Sequence, residues 1–169
     1  MCVMSEGAEQ RGNSLEERVV TLLKKKNFTI SAAESCTGGL FLATLINVSG
    51  ASEVIKEGFV TYAEETKRRR LGVKEETLKQ YTAVSRQTAE EMVKGLKQIT
   101  GAEVAVSITG LAGPGGGTEE IPVGTVFVGC NCRDVCVVER LQLTGDRLQV
   151  RTGAVEGALR VVERLLCEL

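Results

Sequence analysis

The stretch between residues 28 and 48 constrains this chain most. An apolar run, Phe28 to Ala33, reads as a strand, and Leu40 to Val48 carries apolar residues at helical spacing. Only Glu34-Ser35-Cys36-Thr37-Gly38-Gly39 stands between them. A strand, a polar corner and a helix opened by two glycines make the geometry of an anion site. The free N–H groups of the helix's first turn and its dipole favour negative charge, and glycine admits a ligand close to the backbone. Thr37, Gly38 and Gly39 are therefore candidate substrate-binding residues, and Ser35 sits where a hydroxyl is presented above the sheet edge. A plainer reading makes Ser35 or Thr37 only a helix cap.

Two further polar stretches also follow apolar runs. Val54 to Tyr62 contains a second strand, read as Gly58 to Tyr62, and leads into a short charged helix stopped by Gly72. That helix carries four consecutive cations, Lys67 to Arg70. Such a run is ordinarily a solvated face, but a helix spreads it around its circumference, so that one cation can point inward. Lys67, nearest the strand end bearing Tyr62, is the candidate. Val104 to Ile108 is a third strand, and Thr109 to Pro122 is a glycine-rich loop. No Gly-Lys-Ser/Thr follows the loop and no helix does, so it is neither a Walker A loop nor a dinucleotide fingerprint. Close backbone approach to a ligand is its expected use, at Gly110, Gly113, Gly116 and Gly117.

The remaining segments complete the pattern. Ser14-Leu15-Glu16-Glu17 is a capping box before a first helix, and residues 1–13 read as a disordered tail. A short helix is expected over Glu75 to Tyr81 and a longer one from Ser85 to Thr100. A hairpin spans Val123 to Cys132 and Val135 to Leu143, and a final helix starts at Thr144-Gly145-Asp146-Arg147. Helices among five strands predict a single α/β domain over 14–169, a three-layer α/β/α sandwich with a mixed, mostly parallel sheet of about five strands. If the first three strands are parallel, stretches 34–39, 62–67 and 109–118 meet at their carboxyl ends, where open α/β sheets bind ligands.

Composition removes several kinds of chemistry. There is no histidine, which excludes Ser-His-Asp and Cys-His hydrolysis and most catalytic zinc sites. Any proton transfer falls to Lys, Tyr, a carboxylate or water. A net charge of −1 and 43% apolar residues do not suggest nucleic acid as a partner, and no apolar run is long enough to span a bilayer. Without a signal-peptide pattern the expected location is cytoplasmic. The six cysteines read as reduced small hydrophobes. Cys130, Cys132 and Cys136 lack zinc-knuckle spacing, and the first two share a strand face. No metal and no cofactor is expected.

Ala33 to Gly39, Gly58 to Tyr62 with Lys67 and Leu71-Gly72-Val73, Ala83-Val84-Ser85, Ser107 to Thr118 with Pro122 to Val126, and Gly145-Asp146-Arg147 together resemble the CinA C-terminal domain family. The resemblance covers about residues 14–167. It implies a nicotinamide-nucleotide amidohydrolase, which converts the carboxamide of nicotinamide mononucleotide to the acid and ammonia, on a three-layer sandwich commonly assembled as a homodimer. Under it, Ser35 is the expected nucleophile, Lys67 the base, and Tyr62 a relay or orienting hydroxyl. A lysine base needs its pKa lowered, by burial or by nearby cations such as Arg68 to Arg70. Thr109 and the N–H groups around Gly38, Gly39 and Gly110 are expected to form the oxyanion hole or hold the phosphate. Arg147, with Arg151, is expected to contact phosphate or ribose. Glu34 either orients Lys67, bonds the ribose, or is a solvated carboxylate at a helix start. Two positions depart from the family pattern. Ala63-Glu64 stands where Ser-Asn is common, and Ile121 where Lys is common. The alternatives are a catalytically silent nucleotide-binding or regulatory module linked to competence or DNA damage, and a cysteine amidase using Cys36.

Overall fold

The structure, a computed structural model, describes residues 13–169. The tail expected over 1–13 lies outside this span except for Asn13, whose carbonyl accepts from Arg18 at 2.9 Å. Helix α1 (Leu15–Lys26) begins at Ser14, whose hydroxyl accepts from the Glu17 amide while the Glu17 carboxylate accepts from the Ser14 amide. Two orphan donors of the first turn are thereby satisfied together. There follow β1 (Ile30–Glu34), α2 (Leu40–Ile46), β2 (Ile55–Val60), α3 (Glu64–Leu71), α4 (Glu75–Tyr81), α5 (Arg86–Thr100), β3 (Val104–Gly110), β4 (Thr125–Cys132), β5 (Val135–Gln142) and α6 (Arg147–Glu168).

The strands form one sheet in the order β2-β1-β3-β4-β5. β1 pairs in parallel with both β2 and β3, whereas β3–β4 and β4–β5 are antiparallel. Four strands therefore point one way and β4 runs against them. Helices α1, α2 and α6 cover one face and α3, α4 and α5 the other, which is the three-layer arrangement. The pleat divides β3 between them. Val104, Val106 and Ile108 enter the core under α6, Ala105 enters the one under α5, and the Ser107 hydroxyl donates to the Ala89 carbonyl of α5 at 2.7 Å. Cys130 and Cys132 lie in the α6-side core. Cys136 stands across from Asn131, hence on the opposite face, and is exposed. Among the described residues no three His, Cys, Asp or Glu side chains are grouped to hold a metal, and no helix is long and apolar enough to cross a membrane.

Several boundaries differ from expectation by one or two residues, and two of the differences lie at the ligand edge. β2 runs from Ile55 to Val60 rather than from Gly58 to Tyr62. The Thr61 amide still reaches the Glu34 carbonyl at 2.8 Å, but the carbonyls of Thr61 and Tyr62 turn to a lysine instead of continuing the ladder. β3 continues through Thr109 and Gly110, opposite Phe127 and Val126. Gly110 extends the strand because any side chain there would collide with Thr125 and Val126. On the far face, α3 is seated closely on α5. A side chain at Gly95 would run into the Leu71 carbonyl, so glycine lets the two helix backbones meet.

Candidate active site

The ends of β1, β2 and β3 meet around a cavity of about 210 Å³, lined by Ser35, Cys36, Tyr62, Lys67, Ala83, Val84, Thr109, Gly110, Leu111, Ala112 and Arg147. A larger groove of about 460 Å³ lies between α1, α2 and α6, but no buried titratable side chain lines it. The strand-end cavity is where the chemistry collects.

Ser35 is fixed at the corner by its amide, which donates to the Ile108 carbonyl at 2.9 Å. Lys67, one turn into α3, is only 1% exposed. Its Nζ lies 3.0 Å from Ser35 Oγ, 2.6 Å from the Thr61 carbonyl and 3.1 Å from the Tyr62 carbonyl. These three acceptors match the three N–H bonds of an ammonium. In the neutral amine, the two carbonyls engage the two N–H bonds and leave the nitrogen lone pair facing the serine hydroxyl. Burial disfavours the charged form and lowers the Lys67 pKa from 10.5 to about 8, with Glu64 opposing the shift. Arg68 and Arg69 do not supply it. They are exposed and paired with Glu75 and Glu65, because α3 turns them away from the side that buries Lys67.

The corner itself differs from an open anion site. Glu34, 1% exposed, curls over the start of α2 and accepts from the amides of Gly39, Phe41 and Leu42 at 3.0, 3.0 and 3.1 Å. The Gly38 amide donates to the Ser35 carbonyl and the Leu40 amide to the Thr37 carbonyl. This helix start is therefore filled by the chain's own carboxylate, and Glu34 neither touches Lys67 nor lies solvated. Gly38 and Gly39, with φ of 60° and 98°, supply the left-handed turn that brings the helix over Glu34. Thr37 is fully buried and does not line the cavity.

Thr109 does line it, but its hydroxyl donates to the Ala83 carbonyl at 2.7 Å and so has no proton left for an oxyanion. Tyr62 stands at the mouth, 62% exposed, with its hydroxyl bonded to Arg147 at 3.2 Å rather than to Ser35 or Lys67. Its link to the base runs through its carbonyl. Arg147 also donates to the Gly113 carbonyl at 2.6 Å, which leaves further N–H groups at the cavity mouth. Arg151 is a strut rather than a phosphate contact, donating to the carbonyls of Cys36 and Thr37 at 3.0 and 2.8 Å. A side chain at Gly113 would strike that of Val123 and one at Gly117 would press on the Val123 backbone, and neither these two nor Gly116 lines the cavity. The Cys36 side chain enters the core, and burial pushes its thiol up to about 11, the opposite of an activated nucleophile. Ala83, Val84, Leu111 and Ala112, to which the sequence reading gave no role, supply the apolar wall. Only the spatial convergence of three loops reveals them.

Residues 12–166 match the CinA C-terminal domain. The chain belongs to that family. A CinA-like protein of Kosmotoga olearia is 50% identical over 156 residues, covering 92% of this chain but 38% of the relative. The chain thus spans well under half the length of that relative. Two solved structures are closer in size to this chain. Competence/damage inducible protein CihA from Agrobacterium tumefaciens is 40% identical with a TM-score of 0.86, covering 89% of this chain and 93% of that one. A competence-damaged protein (CinA) superfamily member from Klebsiella pneumoniae is 35% identical with a TM-score of 0.88, covering 92% and 97%.

Proposed function

We propose that this CinA-family chain is a nicotinamide-nucleotide amidohydrolase working through Ser35 and Lys67. The observation that carries the reading is the buried Lys67 Nζ, 3.0 Å from Ser35 Oγ and held by two main-chain carbonyls. Neutral Lys67 takes the Ser35 proton as Oγ bonds to the carboxamide carbon. The carbonyl oxygen then carries the negative charge, and the Cys36 amide beside Ser35, which has no main-chain acceptor among the described residues, is available to receive it. The lysine ammonium returns its proton to the amide nitrogen as the C–N bond breaks, releasing ammonia and leaving an ester on Ser35. Water attacks that ester, Lys67 accepts the water's proton, and the acid departs as Ser35 recovers its hydrogen.

The substrate assignment rests on the family resemblance. The apolar wall of Ala83, Val84, Leu111 and Ala112 supports a flat heteroaromatic ring, and Arg147 at the mouth suits a phosphate. Incubating nicotinamide mononucleotide with the protein in chelator-treated buffer tests the reading. Equimolar ammonia and nicotinic acid mononucleotide are expected. Relatives described by competence and damage induction favour a second reading, a regulatory module that binds the nucleotide without turnover. Binding with no ammonia would support that module and overturn the amidase.

A further inference from the structure

Two charged side chains that do not line the cavity grip the Ser35 turn from opposite sides. Glu34 gathers the amides of Gly39, Phe41 and Leu42, and Arg151 reaches from α6 to the carbonyls of Cys36 and Thr37. A trans peptide points its C=O and N–H in opposite directions. Arg151 therefore turns the Thr37 amide away from α6 by holding the Cys36 carbonyl. In the same way, the Gly38 amide, bonded to the Ser35 carbonyl at 3.1 Å, turns the Cys36 amide outward from the loop. Cys36 and Thr37 directly follow Ser35. Among the described residues neither of their amides has a main-chain acceptor, and of the two only Cys36 lines the cavity.

We infer that Glu34 and Arg151 are positioning residues that fix the Ser35 turn and so preset the Cys36 amide as a donor to the oxyanion formed when Ser35 attacks. This inference rests on the amidase reading and adds to it the two charges that hold the turn in place. Preorganised donors of this kind act only if they are fixed before reaction. Neither side chain touches substrate, so their effect belongs in kcat rather than KM.

The test uses folded Arg151→Met and Glu34→Gln, each verified by cooperative melting, with Arg151→Lys as a conservative variant that keeps a donor. Phosphonylation of Ser35 by a small alkyl fluorophosphonate, whose phosphoryl oxygen takes the oxyanion position, reads the turn without any amide substrate. Phosphonylation rate and kcat are expected to fall by at least about tenfold in Arg151→Met and Glu34→Gln. Arg151→Lys should be intermediate, KM should stay within about twofold, and the midpoint of the pH–rate profile should be unmoved. Wild-type phosphonylation in the folded variants would overturn the inference. A loss confined to KM, or a displaced pH midpoint, would also overturn it, because the residues would then act on substrate or on Lys67. Failure of the amidase reading shows separately, as wild-type phosphonylation without ammonia release, and the phosphonylation rates of the variants still decide the positioning role.

Discussion

If Lys67 is the base, the reaction rate should follow its protonation, and a single nearby carboxylate should move that dependence in a known direction. Burial brings Lys67 to about 8 from 10.5. At pH 7 such a group is neutral in about one molecule in eleven, against about one in three thousand for an unperturbed lysine, a gain of roughly 300-fold in competent enzyme. The rate of ammonia release should therefore rise about tenfold per pH unit below the midpoint and level off above it. Glu64, in the first turn of α3, holds the Lys67 pKa up, so Glu64→Gln should lower the midpoint. Each 0.3 unit of that displacement makes the variant about twofold faster at pH 7 and leaves the plateau unchanged. The assay is kcat/KM for ammonia release from pH 6 to 9.5 at constant ionic strength. A flat profile, a midpoint near that of free lysine, or an acid limb displaced toward higher pH in Glu64→Gln would refute the reasoning.

Lys67→Arg keeps the charge and can donate to the same carbonyls but does not deprotonate in proteins, so turnover should fall by about 10³ or more. Near-wild-type turnover would remove Lys67 as the base. Arg147→Met should raise KM for nicotinamide mononucleotide by about tenfold or more, the scale of a lost charge-assisted hydrogen bond. KM for the riboside, which lacks phosphate, should be left alone, and equal losses on both would show that Arg147 does not read phosphate. Gly95→Ala should cost about 1–3 kcal/mol in chemical denaturation, because the new methyl meets the Leu71 backbone rather than a movable side chain. An unchanged midpoint would mean that α3 shifts without penalty.

Ser35 and Lys67 were legible in the sequence for separate reasons. Ser35 sits at a strand-to-helix corner marked by Gly38 and Gly39, and the absence of histidine left lysine among the few groups able to act as a base. The helix caps at Ser14 and Ser85 and the stop at Gly72 were equally local, and the structure keeps them. What escaped depends on distant contacts. Glu34 precedes the helix that it caps by several residues, and whether a carboxylate folds back over a turn or faces solvent is decided by the packing of α2. Arg151 acts across 115 positions of sequence on Cys36, which no local pattern announces. The glycines at 113 and 117 looked like ligand contacts because composition does not distinguish space kept for a ligand from space filled by Val123, whereas Gly110 does line the cavity. The end of β2 was misplaced for a related reason, since Thr61 and Tyr62 carry strand-like side chains but direct their carbonyls to Lys67.

The central claim, that a serine held against a buried lysine hydrolyses an amide, is tested most directly by ammonia release from nicotinamide mononucleotide. Wild type and Ser35→Ala should be measured side by side, with binding followed by calorimetry. The account predicts that wild type releases ammonia and that Ser35→Ala binds the nucleotide and releases none above the buffer blank. Substantial release by Ser35→Ala would contradict it.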